Sequence, residues 1–72
     1  MYIGDFIKEY RKANSISIED FATKAGLTVT EIEALEKNLQ EDGKVIPVAM
    51  RQIKGIATAM DVAMPIIMAQ IP

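Results

Sequence analysis

The chemistry open to this chain of 72 residues is limited first by two absences: it contains no His and no Cys. There is no imidazole base, no thiolate nucleophile and no zinc site of the usual kind. Glu31 and Glu33 come nearest to the paired carboxylates of acid–base catalysis. Residues two apart on a helix point about 200° away from each other, so these two cannot converge on one substrate. Neither glycine-rich phosphate-loop pattern, G-x-x-x-x-G-K-[ST] or G-x-G-x-x-G, is present. The expectation is a protein that is not an enzyme and uses no metal and no cofactor.

What remains is recognition by charge, hydrogen bonding and apolar contact, and these need elements to position them. Only helical periodicity is present. Ile3, Phe6, Ile7 and Tyr10 fall at i, i+3, i+4 and i+7, which predicts a helix over roughly 2–13. Ser17 is a hydroxyl N-cap with Asp20 three residues on, and Gly26 supplies a left-handed stop, giving a second helix over 18–25. Thr28 and Glu31 repeat the start signal as a capping box for a third helix over 29–39. Residues 40–47 read as a loop around Asp42-Gly43, with Pro47 opening a fourth helix over 48–60. Pro65 lies in the first turn of a short fifth helix over 64–70. The pattern is one all-α domain of five short helices spanning 1–72. Met1 to Phe6 has no basic and apolar signal-peptide layout, and Ile56 to Ile71 is too short, and too broken by Asp61 and Pro65, for a membrane span. A cytoplasmic protein that makes no membrane contact is expected.

The spacing of helices two and three carries the functional information. Phe21-Ala22, Gly26, Leu27, Ile32 and Leu35 make an eight-residue helix, a tight glycine turn and a second helix, the helix-turn-helix arrangement that presents its second helix to a DNA major groove. With Ile3-Gly4, Arg11-Lys12, Glu36-Lys37-Asn38 and the run Ile56-Ala57-Thr58-Ala59-Met60-Asp61-Val62, the chain resembles the phage Cro and repressor-type helix-turn-helix domains, also called xenobiotic-response-element regulators. The resemblance implies a lambda-repressor-like fold. It also implies an ion pair between Arg11 and Glu36 that ties helix one to the end of helix three. By the same resemblance Thr28, Val29, Thr30, Glu33 and Ala34 face bases, and Lys37, Asn38 and Lys44 face the sugar-phosphate backbone.

The chain departs from that family where DNA would be touched. Ile18 stands where relatives often carry a phosphate-binding Gln. Val29 and Ala34 offer only contact with thymine methyl groups, Thr30 a single hydrogen bond, and Glu33 a rare acceptor for cytosine. Residues 28–44 hold five acids (31, 33, 36, 41 and 42) against Lys37 and Lys44, a balance of −3. Duplex affinity rests on Lys and Arg displacing counterions from phosphates. Lys12, Lys24, Lys37 and Lys44 are the available contacts, so binding is expected to be weak or to depend on a dimer. The loop after helix three is about six residues longer than the family pattern, a change that costs little in itself.

Residues 45–72 carry 18 apolar side chains and four of the five methionines. Pro65 and Ile66 replace the acidic opening common in relatives, and Ile66, Ile67, Met68 and Ile71 are expected to form an apolar interface. Its occupant is either a second copy or a further domain, since a chain ending Met-Ala-Gln-Ile-Pro can be the N-terminal part of a longer protein. The leading expectation is a bacterial or phage-type transcriptional regulator that binds an operator through helix three as a dimer. Its rival, from the acidic helix three, Ile18 and the apolar C-terminus, is a protein-interaction module that has kept the fold and lost DNA recognition.

Overall fold

The computed structural model describes residues 2–71. Five helices follow in order: α1 Ile3–Asn14, α2 Ile18–Ala25, α3 Val29–Glu36, α4 Met50–Met60 and α5 Met64–Met68. Among the described residues there is no strand, only an isolated antiparallel bridge between Leu39 and Val45. No helix among them is long and apolar enough to cross a membrane.

The local signals act as their chemistry dictates. The Ser17 hydroxyl accepts from the Asp20 N–H at 3.1 Å. Thr28 and Glu31 close a reciprocal box: the Thr28 hydroxyl accepts from the Glu31 N–H, and the Glu31 carboxylate accepts from the Thr28 N–H. Gly26 ends α2 at φ 67, in the left-handed region that costs glycine nothing. Three boundaries differ from the sequence expectation by two residues or more. α3 stops at Glu36 rather than 39, because Asn38 turns left-handed at φ 67 and sends its N–H back to the Leu35 carbonyl. α4 begins at Met50 rather than Val48, after an extended Ala49 whose N–H is accepted by the Gln52 side chain. α5 ends at Met68, with Gln70 and Ile71 closing isolated turns onto Ile67 and Met68.

α3 leans on α1 and α2, α2 packs on α4, and α4 carries α5. Phe21, Ile7, Ile32, Leu35, Ile56 and Ile67 are the largest fully buried side chains, one or two from each helix. The Tyr10 ring meets Phe21 edge-on at 6.1 Å. Gly4 marks a close helix approach: a Cβ there would collide with the Leu35 carbonyl and the Asn38 side chain.

Ile67 corrects the sequence reading. It was expected in an apolar interface, yet it is wholly buried. A helix as short as α5 turns one of two adjacent isoleucines inward against α4, and the core takes Ile67. Ile66 at 48% and Met68 at 46% stay exposed, and Ile71 is partly buried against the core. In urea titrations, Ile67→Ala should therefore cost ~2–5 kcal/mol of stability. Ile66→Ala should change it by no more than ~0.5 kcal/mol. Equal costs would contradict the inward placement of Ile67.

Candidate nucleic-acid interface

The turn between α2 and α3 is Gly26-Leu27-Thr28. Leu27 is buried, which pins the turn to the core, while Thr28 stays outside as the cap of α3. Ile32 and Leu35 anchor the inner face of α3. The 3.6-residue turn then throws Thr30, Glu33 and Lys37 onto the opposite, exposed face, with Ala34 half-buried beside them. Val29 is different. It is half-buried and packs against the core, so little of it is left for an incoming base.

Charge pairs reach α3 at both ends. At its C-terminal end, Arg11 of α1 donates to Glu36 through Nε at 2.7 Å and through its second terminal nitrogen at 3.0 Å, a two-pronged bond. The remaining nitrogen donates to the Ile16 carbonyl at 3.2 Å, so one guanidinium ties α1, the α1–α2 turn and α3. Both side chains are mostly out of water, and the Glu36 hydrogen bonds raise the Arg11 pKa above its ordinary value. At the N-terminal end, Glu31 accepts from Arg51 and, at 3.2 Å, from the side-chain amide of Gln52, both on α4. Together with the Thr28 N–H these hold the Glu31 carboxyl at a pKa of about 2, the Arg51 bond being the largest cause.

Asn38 does not face outward as expected. Its amide nitrogen donates to Asp5 of α1 at 2.9 Å, and its carbonyl oxygen is buried with no hydrogen-bond partner among the described residues. A left-handed residue here suits Gly or Asn, and Asn adds a tie to α1 in place of a contact with phosphate. Lys44 is exposed, on a small hairpin that the sequence shows only as a loop. The Gln40 N–H donates to the Lys44 carbonyl, the Lys44 N–H to the Asp42 carboxylate, and Gly43 makes the bend at φ 83.

These pairings redraw the electrostatics. With Glu36 held by Arg11 and Glu31 by Arg51, the acids left in 28–44 are Glu33, Glu41 and Asp42, facing Lys37 and Lys44. The net −3 of the local sequence becomes close to −1 once the two arginines arrive from outside the segment. The Arg51–Glu31–Gln52 cluster was missed in the sequence because its members lie 20 and 21 residues apart with no spacing rule to join them. Among the described residues no cluster of three or more metal-ligating side chains is assembled.

Residues 7–41 match the helix-turn-helix family HTH_3. The transcriptional regulators SinR of Bacillus subtilis (strain 168) and of Bacillus licheniformis are each 37% identical over 43 residues, 60% of this chain. The aligned stretch spans only 39% of their length. The crystal structure of SinR, described as the master regulator for biofilm formation, in complex with DNA superposes with a TM-score of 0.72 at 27% identity. That match covers 92% of this chain and 97% of the other. The five-helix arrangement is the Cro/repressor-type helix-turn-helix fold, and the match to the family itself lies within residues 7–41.

Two outcomes test the clamps. Arg11→Ala leaves Glu36 without its counter-charge and the Ile16 carbonyl without its donor, and should cost about 1–3 kcal/mol in denaturant titrations. Because the Glu31 pKa is lowered in the fold, its contribution is present above the ordinary value of 4.5 and is lost as pH falls toward about 2. The stability gap between wild type and Glu31→Gln should therefore shrink across that acid range. A gap independent of pH would refute the assignment.

Proposed function

We propose that this domain binds double-stranded DNA as part of a transcriptional regulator, laying the exposed face of α3 in the major groove of an operator. The observation that carries the reading is the division of labour on α3. Its inner face is bolted to the core and its two ends are clamped by Arg11 and Arg51. Thr30, Glu33 and Lys37 are left free on the outer face with Ala34 and the capping Thr28. The likeness to a DNA-bound SinR domain over nearly its whole length supports the same reading. Lys37 and Lys44 serve the sugar-phosphate backbone, while Thr28, Thr30, Glu33 and Ala34 meet base edges.

Few cations face the duplex, so one subunit binds weakly and a pair of subunits on a two-fold operator supplies the remainder. Ile66 and Met68, exposed at the C-terminal end, support self-association or the docking of a further domain. The same exposed pair, with Leu39 and Val45 on the hairpin, favours the second reading, a protein-binding module.

Binding to a labelled random-sequence duplex across ~50 to 200 mM salt separates the two. The DNA reading expects affinity that falls with salt, and Lys37→Ala should flatten the log–log slope by about 0.9. A folded protein that ignores the duplex even at low salt would turn the assignment to protein partners.

A further inference from the structure

Four donors from two helices converge on one carboxylate at the junction of α3 and α4. The Thr28 N–H and hydroxyl approach Glu31 Oε2 at 2.9 and 3.3 Å, while Gln52 Nε2 at 3.2 Å and the Arg51 guanidinium approach Oε1. Such a set is an anion site, and its anion is built into the protein. Guanidinium binds a carboxylate and a phosphate with the same two-pronged geometry. Among the described residues Arg51 has no other charged partner, and its side chain is 64% exposed, so it is not held by packing. Glu31 is half-buried, but it caps the same N-terminal end of α3 that carries the exposed Thr28 and Thr30, so the exposed Arg51 lies at the edge of the face proposed to meet DNA.

We propose that Arg51 is a phosphate-binding residue held in check by Glu31, whose carboxylate occupies the place a nucleic-acid phosphate would take. Glu31 is thus an internal competitor that sets how tightly the domain grips DNA. The proposal rests on the DNA-binding reading above. It accounts for the weak binding proposed above in a chain that nevertheless carries a well-placed arginine. A phosphate that displaces Glu31 exchanges one anion for another at Arg51 and leaves an unpaired carboxylate beside the phosphate, so Arg51 adds little net affinity. Removing the charge of Glu31 removes both penalties.

Glu31→Gln is the test, since Gln serves at the third position of a capping box and preserves the start of α3. Against the random duplex, Glu31→Gln should bind about tenfold tighter than wild type or more, the size of one charge-assisted hydrogen bond. Its salt slope should steepen by about 0.9, one further phosphate neutralised. Adding Arg51→Ala should abolish both gains. Independently of any duplex, inorganic phosphate should shift the Arg51 side-chain NMR signals in Glu31→Gln and leave them unmoved in wild type.

Equal affinity and slope in the folded variant, or a gain that survives Arg51→Ala, would overturn the proposal. If no duplex binds at all, the DNA reading fails, and the phosphate titration decides alone: an unresponsive Arg51 in Glu31→Gln would overturn the masked site. Glu31→Ser carries the same two readouts should the Gln variant melt.

Discussion

The orientation of α3 depends on one guanidinium. Arg11 reaches from the first helix to the last residue of the third and, with its remaining nitrogen, to the Ile16 carbonyl between α1 and α2. A carboxylate at the C-terminal end of a helix opposes the helix dipole, and α3 has no basic residue in its own last turn. Arg11 supplies the missing positive charge from outside. The pair has been drawn largely out of water, so its net contribution to stability is small against the cost of desolvation. What it contributes is geometry: two parallel hydrogen bonds fix the angle of α3, where a hydrophobic contact alone would let it roll.

The same logic recurs in weaker form around that clamp. Asn38 extends the tie between α1 and the end of α3 through Asp5, made possible by the left-handed turn that also stops the helix. Gly4 lets the two helices come close enough for that bond. At the opposite end, Glu31 caps α3 and holds α4 at the same time. α3 is therefore tied down at both ends and bare in the middle. Rigid ends and a free outer face suit the groove-binding role proposed for this helix.

The C-terminal third works differently. α5 is too short to be stable by itself and stays folded because Ile67 is buried with Ile56 and Met60 of α4 in one core. Its neighbours Ile66 and Met68 are what a five-residue helix cannot hide. The hairpin at 39–45 shows the same economy: a tight bend at Gly43 and a few main-chain bonds absorb the extra length without touching the core.

Sequence alone determined the order of the five helices, their caps at Ser17, Thr28 and Gly26, and the apolar pattern at Ile7, Phe21, Ile32 and Leu35. Those features rest on contacts within a turn or two of chain, where a 3.6-residue period and a capping hydroxyl are legible letter by letter. The family resemblance added the Arg11–Glu36 pair, which no local rule implies. Only the tertiary structure decided that Ile67 turns inward while Ile66 does not, because periodicity in five residues cannot fix the phase of a helix. It alone decided that Asn38 serves α1, and that Arg51 and Gln52 close over Glu31. Charge counted along the chain made the third helix the most acidic segment. Charge counted in space nearly neutralises it, because electrostatic energy follows distance between atoms and the balancing arginines come from α1 and α4.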